Sequence, residues 1–326
     1  MRFLTNASTD PHFNMAFDEF CLERLQADEP VFYLWQNRPA VIIGLNQSAY
    51  AEVNLPYLED SGIALARRVT GGGAVYHDLQ NLNYTITGRI RDLEKDFPAY
   101  VETMVRALQA LRVPAELSGR NDILVEGRKC SGYAKRLSKD RLMIHGTLMY
   151  DVDIDTLTKA LSVPGSKLSA AGITSVRSRV ANLKDYLPQF SDIAGFRDAL
   201  QDLLAGADGE IVLSKDQLDS IGADADTKFR SWEWIYGHSP DAQFSVSRKY
   251  PCGTVEARFS LRAGHIDGLR FSGDFLGNVP ASSIETALQG CRFTRDDLLA
   301  VLHDEQVSGC FDNLAAGDLV SLLLEI

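Results

Sequence analysis

The feature that most constrains the fold is a stretch in which two arginines run into three glycines and then a His-Asp pair, Arg67-Arg68-Val69-Thr70-Gly71-Gly72-Gly73-Ala74-Val75-Tyr76-His77-Asp78. Glycine has no Cβ atom, so consecutive glycines can adopt positive φ and bring successive backbone N–H groups close to an anion. The two guanidinium groups add charge that stays positive at neutral pH. We therefore expect a phosphate or carboxylate site here, the alternative being a plain glycine-rich hairpin turn.

Apolar runs on both sides of this stretch, at residues 63–66 and 82–87, predict two strands. The glycines then lie at the edge of a sheet, where a ligand has access. Adjacent residues of a strand point to opposite faces, so His77 and Asp78 are not expected to form a catalytic dyad. We expect His77 to shape the site or contact the substrate.

Composition narrows the class of protein. The chain has 326 residues, 45% of them hydrophobic and 24% charged, and a formal net charge of −11. This length favours two domains, and the acidic balance argues against nucleic acid or an anionic membrane as the main partner. No apolar run reaches the roughly 20 residues of a membrane-spanning helix, and the first residues lack a signal segment, so we expect a cytoplasmic protein. Five scattered cysteines indicate reduced thiols, not a disulfide framework.

The hydrophobic pattern predicts an α+β fold, a mixed sheet flanked by helices. Apolar spacing after Asp10-Pro11 indicates an amphipathic helix, and the runs at 31–35 and 40–44 indicate two strands joined by a hairpin-like break. Near residue 240 the pattern changes from helical to alternating. We predict a catalytic domain at 1–240 and a small α+β domain at 241–326. Other predicted elements are strands at 122–127 and 142–150 and helices near 98–111, 155–161, 190–205 and 215–235.

A second polar stretch contains Asn121-Asp122 and, after one predicted strand, Lys129 among small residues. A lysine at a turn is usually a solvated charge, but here small neighbours permit close contact with a ligand. An ammonium group there would stabilise negative charge developing on an α-phosphate or an acyl oxygen. Asp122 is a candidate to hold this lysine or a Mg²⁺ ion, since Mg²⁺ prefers carboxylate ligands.

Cys130 is the rival nucleophile, with His145 as a conceivable base through tertiary contact. The alternative is a small buried thiol that only packs. The sequence has no GxxxxGK[ST] loop, and its three glycines do not fit GxGxxG, so neither common nucleotide-binding motif is indicated.

The chain resembles the lipoate–protein ligase A family through several motifs that cover most of its first 185 residues in order. Besides the Arg67-to-Asp78 stretch, they are Tyr33-Leu34-Trp35-Gln36-Asn37, Val41-Ile42-Ile43-Gly44, Gly119-Arg120-Asn121-Asp122, Arg128-Lys129-Cys130-Ser131-Gly132-Tyr133-Ala134, His145-Gly146-Thr147-Leu148 and Gly172-Ile173-Thr174-Ser175-Val176-Arg177-Ser178-Arg179-Val180. Ser231-Trp232-Glu233-Trp234 and the tail are similar to the family's accessory domain.

The resemblance implies a biotin/lipoate ligase-like catalytic domain with a C-terminal accessory domain. It implies that ATP, with Mg²⁺, activates lipoate as lipoyl-AMP, and that a lysine of an apo lipoyl domain then takes the lipoyl group. The implied acceptors are E2 subunits of 2-oxoacid dehydrogenases and the glycine cleavage H protein, and the implied state is a monomer.

The resemblance also implies roles for single residues. Lys129 contacts both lipoate and phosphate and is the catalytic candidate, and His77 borders the lipoyl tunnel. Asp122 is the metal candidate because of its carboxylate chemistry, not because of the resemblance. The expected nucleotide- or adenylate-binding set is Arg68, Gly72, Gly73, Ala74, Val75, Tyr76, His77, Asn121, Asp122 and Lys129.

One position departs from the family's usual His-Asp-x-Gly-Asn, because Gln80 stands where glycine is customary. A side chain there is expected to alter the turn or to narrow access. Two alternatives to the ligase stay open: a lipoyl or octanoyl transferase that uses a cysteine thioester, and a non-catalytic lipoate-binding protein.

Overall fold

The computed structural model describes residues 1–90, 93–119, 121–161, 178–206 and 209–325. Arg120 and residues 172–177, which belong to two of the motifs above, lie outside the described residues. Contacts divide the described chain into two units, one made of residues 1–45, 57–161 and 178–231 and the other of residues 46–56 and 232–325. Within these ranges no helix is long and apolar enough to cross a membrane.

The first unit contains a seven-stranded sheet. Its strands are β1 Arg2–Phe3, β2 Val31–Trp35, β6 Asn81–Arg89, β7 Ala115–Ser118, β8 Asp122–Val125, β9 Arg128–Ser138 and β10 Arg141–Met149. They are ordered β1-β2-β6-β10-β9-β8-β7, and every neighbouring pair is antiparallel except β1 and β2. Residues 81–88 of β6 are all buried, as expected for a strand at the centre of a sheet.

A second, three-stranded sheet in this unit carries the glycine stretch. Strand β3, Ala40–Ile43, lies between β4, Ala64–Arg67, with which it runs parallel, and β5, Val75–His77, with which it runs antiparallel. The glycines therefore connect the two edge strands. The prediction that they lie at a sheet edge is confirmed, but the strand after them is β5, which was not predicted. The predicted strand at 82–87 is β6 of the seven-stranded sheet.

Helices flank these sheets. Two short helices, α2 Ala49–Glu52 and α3 Leu55–Asp60, precede β4 in the chain, and α2 belongs to the second unit. The longer ones are α1 Pro11–Glu23, α4 Leu93–Ala110, α5 Ile154–Ala160, α6 Ile193–Leu204 and α7 Lys215–Asp224, with a 3₁₀ turn at Leu183–Tyr186 and a π-helical turn at Ala225–Phe229. Helix α1 begins as its sequence predicts: the Asp10 side chain accepts a hydrogen bond from the His12 backbone N–H, and Pro11 occupies the first turn.

The second unit is an antiparallel sheet with helices. The strands are β11 Ala242–Tyr250, β12 Gly253–Arg262 and β13 His265–Gly273, and the helices are α8 Ser282–Leu288, α9 Arg295–Val301, α10 Asp304–Cys310 and α11 Ala316–Leu323, after a π-helical turn at Glu233–Gly237. Alternate residues of β12, including Val255, Ala257 and Phe259, enter its core. The predicted fold class, a mixed α+β protein with an α+β C-terminal part, is confirmed.

Residues 46–56 join this second core from far away in the sequence. The Tyr50 ring is buried, and its centroid lies 5.6 Å from those of both Tyr236 and Phe293. Burial raises the pKa of the Tyr50 hydroxyl. Sequence periodicity did not indicate this contribution, because a four-residue helix carries no measurable period.

The predicted hairpin of β2 and β3 is wrong. These strands lie in different sheets, since β2 pairs with β1 and β6 whereas β3 pairs with β4 and β5. The connection between them holds Asn37, which is fully buried and hydrogen-bonded to Asn14 and His77. A buried, side-chain-anchored segment of this kind crosses between layers and does not form a tight surface turn.

Candidate active site

The glycine stretch is folded tightly against the strand beside it. The Leu45 backbone N–H donates to the Thr70 carbonyl at 2.8 Å, and Gly72 has φ +97°. A Cβ atom on Gly44 would lie only 2.1 Å from the Gly72 carbonyl oxygen, so this approach requires glycine at position 44. Residues 71–73 can therefore keep this conformation only if glycine directly follows strand β3.

Arg68 holds the loop from within. It is 5% exposed and donates to Thr70 Oγ1 at 3.0 Å, to the Ile42 carbonyl at 3.0 Å, and to the carbonyls of Gly71 and Gly73 at 2.8 Å each. All of these acceptors are neutral, and within the described ranges no carboxylate forms an ion pair with Arg68. Burial lowers the pKa of Arg68 to about 10, so the group stays charged at neutral pH. An incoming anion would be attracted to this uncompensated positive charge.

A cavity of about 120 Å³ opens beside the loop. It brings together eight of the ten predicted site residues, Arg68, Gly72, Gly73, Ala74, Val75, His77, Asn121 and Lys129. His145, the conceivable base, also lines it, together with side chains to which sequence reasoning gave no role, among them Met15, Trp35, Ile42, Asn83, Tyr133 and Thr147. Met15, Trp35 and Ile42 are buried and apolar, whereas the Lys129 side chain is 40% exposed. The cavity thus has an apolar inner wall and a polar, more exposed side.

The other two predicted residues, Tyr76 and Asp122, do not line this cavity. Tyr76 precedes His77 in β5 and is directed to the other face of the strand, and burial raises the pKa of its hydroxyl. Asp122 instead borders an adjoining cavity of about 340 Å³, together with Lys129 and Arg179. Lys129 borders both cavities, so it lies where they meet.

Lys129 is held in place by its neighbours. Its Nζ lies 2.8 Å from Asp122 Oδ1. Of the two roles expected for Asp122, holding Lys129 or binding Mg²⁺, this contact is the first. A Cβ on Gly132 would lie 2.9 Å from that Nζ, so the glycine leaves room for the lysine to cross it. Asn121 Nδ2 donates to the Tyr133 carbonyl at 3.0 Å, which ties the start of β8 to β9.

His77 is a neutral, buried imidazole. Its Nδ1 lies 3.0 Å from Asn37 Nδ2, and its ring meets Trp35 edge-on at a centroid distance of 6.0 Å. Burial lowers the pKa of His77 to about 3, and the positive charge of Arg68 acts in the same direction. Such a group is a poor general base at neutral pH.

Asp78 points away into the following turn. Its Oδ1 accepts from the Gln80 backbone N–H at 2.8 Å and its Oδ2 from the Asp153 N–H at 3.1 Å. The prediction that His77 and Asp78 form no dyad is confirmed. Gln80 fits this turn without strain, since its φ is not positive and its side chain is exposed and outside the cavity. The expectation that Gln80 would disturb the turn is wrong, because the turn is closed by Asp78 and needs no glycine.

A buried hydrogen-bond chain behind the loop was missed from the sequence. Asp18 Oδ2 lies 2.5 Å from His145 Nδ1, His145 Nε2 lies 2.7 Å from Thr70 Oγ1, and Thr70 accepts the bond from Arg68. Asp18 Oδ1 also accepts from the hydroxyls of Tyr33 and Thr85. The chain connects α1 to the loop and orients the Arg68 guanidinium. The only signal in the sequence was an acid on the apolar face of α1, four residues after Asn14.

Cys130 has no access to the cavity. It is fully buried, its Sγ lies 3.4 Å from the Ile123 carbonyl, and burial raises the pKa of its thiol to about 12. His145 is committed to Asp18 and Thr70. Cys130 is therefore a small buried residue that packs in the core, and not a thiolate nucleophile.

Comparisons with known proteins identify the family. A model described as the lipoyl protein ligase A/B catalytic domain matches residues 10–205, and one described as the bacterial lipoate protein ligase C-terminus matches residues 239–323. The lipoate-protein ligase LplJ of Bacillus subtilis is 37% identical over 330 residues, which is 99% of this chain and 100% of the relative. The chain belongs to the lipoate–protein ligase family. Lipoate–protein ligase 1 of Staphylococcus aureus is 36% identical over 99% of this chain and 100% of its own length.

Solved structures of lipoate–protein ligases share the fold. A bi-partite lipoate protein ligase of an archaeal lipoylation system, from Thermoplasma acidophilum, has a TM-score of 0.66 and 30% identity over 73% of this chain and 97% of that chain. A lipoate-protein ligase A bound with ATP has a TM-score of 0.62 and 29% identity over 73% of this chain and 98% of that one.

The burial of neutral His77 predicts a pH-dependent loss of stability. The pKa of His77 is lowered to about 3 in the folded chain from an ordinary value of 6.5, so between these values the unfolded chain binds one proton more. Stability from this residue is fully present above pH 6.5 and falls by about 1.4 kcal/mol per pH unit as the pH drops towards 3. Urea unfolding of the wild type and His77→Gln at pH 7, 6, 5 and 4.5 measures this, because the difference in free energy of unfolding should shrink with pH at that slope. A difference in free energy of unfolding that stays constant with pH would contradict the assignment of His77 as neutral.

Proposed function

We propose that this chain is an ATP-dependent lipoate–protein ligase, which activates free lipoate as lipoyl-AMP and transfers the lipoyl group to a lysine of an apo lipoyl domain. The observation that carries the proposal is the single cavity that joins the Arg68-braced glycine loop, Lys129 and an apolar inner wall. An anionic head and an apolar tail are the two parts of lipoate and of its adenylate. Membership of the family supports the same reaction.

The residues divide the first step between them. In this step a lipoate carboxylate oxygen attacks the α-phosphorus of ATP, and the bond to the β-phosphate breaks to release pyrophosphate. The backbone at Gly72, Gly73, Ala74 and Val75, held by Arg68, receives the phosphate charge, and Asn121 adds a polar side chain. The Lys129 ammonium stabilises charge on the carboxylate and α-phosphate oxygens in the transition state. Tyr76 stays in the proposed set for its backbone alone.

In the second step the acceptor lysine amine attacks the acyl carbon, AMP leaves, and the amine proton passes to solvent. Neutral His77 does not serve as the base, since its pKa is lowered to about 3 by burial. The buried wall of Met15, Trp35 and Ile42 keeps water from the mixed anhydride until the acceptor arrives.

Lipoyl domains are the proposed acceptors. The Thermoplasma ligase was solved in a study of that ligase and its E2 lipoyl domain, which supports an E2 lipoyl domain as partner here. We extend the proposal to the E2 subunits of 2-oxoacid dehydrogenases and the glycine cleavage H protein, with the ligase acting as a monomer. We also retain residues 1–240 and 241–326 as its catalytic and accessory domains, supported by the separate matches at 10–205 and 239–323.

The reaction is tested with free lipoate, ATP and Mg²⁺ and an apo lipoyl domain, by pyrophosphate release and by the intact mass of the acceptor. We expect pyrophosphate and a lipoyl adduct that both depend on ATP. An adduct formed from an acyl carrier but not from lipoate and ATP would favour the transferase. Lipoate binding without pyrophosphate release would favour the non-catalytic protein.

Replacing Lys129 by alanine should lower the rate of lipoyl transfer by about 100-fold or more, because one preorganised charge at a developing oxyanion contributes about that much. The fold should persist, since the side chain is half exposed. Lys215→Ala, an exposed lysine at the start of α7, is the matched control and should keep wild-type turnover. Near-wild-type turnover of Lys129→Ala would remove the residue from the mechanism.

Mg²⁺ is proposed to bind through Asp122 together with ATP. Among the described residues no three His, Cys, Asp or Glu side chains form a metal site, but a single carboxylate suits Mg²⁺, which commonly binds one or two carboxylates and completes its shell with substrate phosphates and water. Bound Mg²⁺ would neutralise phosphate charge. We expect Asp122→Asn to raise the Mg²⁺ concentration for half-maximal pyrophosphate release by about tenfold, and an unchanged Mg²⁺ titration would exclude Asp122 as a ligand.

Cys130→Ser separates the ligase from the thioester transferase. The ligase requires no thiol, so lipoyl transfer should continue near the wild-type rate, with stability reduced by about 1 kcal/mol for the buried hydroxyl. Intact-mass kinetics and urea unfolding of the same preparation measure both effects. A folded variant that has lost transfer would restore Cys130 as nucleophile.

A further inference from the structure

One buried donor in the cavity wall has no partner in the protein. His77 is 3% exposed and lines the cavity, and its Nε2 has no hydrogen-bond partner among the described residues. Buried polar groups are nearly always paired, so an unpaired one in a side chain that lines a ligand cavity indicates a ligand atom as its partner.

A relay of three asparagine amides decides which ring nitrogen carries the proton. Asn14 Nδ2 faces two backbone carbonyls, Ser8 at 3.1 Å and Gln36 at 3.0 Å, which can only accept. Its Oδ1 accepts from Asn6 Nδ2 at 2.9 Å. The orientation of Asn14 is therefore settled by its surroundings, and its Nδ2 is the donor on the side facing Asn37.

Asn37 passes this orientation on to the histidine. Its Oδ1 lies 2.7 Å from the Asn14 Nδ2 donor, so its own Nδ2 faces His77 Nδ1 at 3.0 Å. An amide N–H can pair only with an unprotonated Nδ1, which leaves the ring proton on Nε2. In a doubly protonated ring, the Nδ1–H donor would face the Asn37 Nδ2–H donor, and a second positive charge would lie near Arg68. The imidazole that lines the cavity therefore has a fixed Nε2–H donor left for a ligand.

The position of this donor selects the kind of acceptor. It lies in the buried part of the cavity with Trp35, Met15 and Ile42, whereas Lys129 is on the more exposed side. The anionic head of the substrate belongs with Lys129, so its tail reaches His77. The tail of lipoate differs from that of octanoate in its dithiolane ring, whose sulfur atoms are weak acceptors that also pack well against aromatic rings.

We propose that His77 Nε2–H donates a hydrogen bond to a sulfur atom of the lipoyl dithiolane ring and so makes this site prefer lipoate to octanoate. The inference rests on the proposed ligase function. Octanoate fills the same wall but leaves the buried Nε2–H without an acceptor, so only lipoate gains this hydrogen bond. Asn37 and Asn14 are positioning residues, because they set the tautomer without contacting the ligand.

The first test compares kcat/KM for lipoate and octanoate by pyrophosphate release. His77→Phe keeps a planar ring and removes the donor, and we expect its lipoate-to-octanoate ratio to fall by about three- to tenfold, the usual range for one hydrogen bond. His77→Gln, which retains an N–H donor, should preserve more of the ratio. His303→Phe, at an exposed histidine of the second unit, is the matched control. An unchanged ratio in His77→Phe would overturn the inference.

The second test needs no turnover and so separates this inference from the proposed function. Ring-¹⁵N-labelled enzyme reports the tautomer directly, and we expect a neutral His77 with the proton on Nε2 from pH 5 to 8. Lipoate should shift the Nε2–H resonance more than octanoate does at equal saturation. A proton on Nδ1, or equal shifts with both acids, would contradict the inference even in an active enzyme. Absence of pyrophosphate release with both acids, in contrast, would refute the ligase function alone.

Discussion

The candidate site depends on one buried guanidinium group. Arg68 is surrounded by the carbonyls of Ile42, Gly71 and Gly73, and these neutral oxygens hold it without cancelling its charge. Burying a charge in this way costs free energy unless hydrogen bonds surround it and a counter-charge arrives. The geometry therefore has two results: the glycine loop has one shape, and its interior has positive potential that suits a nucleotide phosphate.

The neighbouring groups follow from this charge. Thr70 accepts from Arg68 and links it to His145 and Asp18, so a carboxylate acts on the guanidinium at a distance and does not neutralise it by contact. Burial, with a smaller contribution from this positive charge, lowers the pKa of His77 to about 3 and keeps it neutral. A neutral imidazole that already accepts from Asn37 at Nδ1 has only its Nε2–H donor left for a partner. One buried cation thus shapes both the anion-binding side and the apolar inner wall.

Much of this could be predicted from the sequence, and the exceptions have physical reasons. Strands β4 and β6, helix α1 and the pairing of Lys129 with Asp122 follow from local patterns, since period, capping and charge are short-range signals. The three-residue strand β5 is too short to show a period. Asp18 and Asn37 were missed because their partners lie 127 and 40 residues away, and a polar residue inside an apolar segment carries no mark of what it will meet. Gln80 was misjudged because a family pattern does not say whether its glycine is needed for φ or is merely customary.

The proposal that Arg68 organises the nucleotide site is tested most directly by calorimetric titration of ATP into the wild type and Arg68→Lys. Lysine keeps the charge but cannot donate to four acceptors in the plane of a guanidinium. We predict that the variant keeps the wild-type circular dichroism spectrum and binds ATP at least about tenfold more weakly, the loss of roughly 1.4 kcal/mol or more. Unchanged ATP affinity in a folded Arg68→Lys protein would contradict the account.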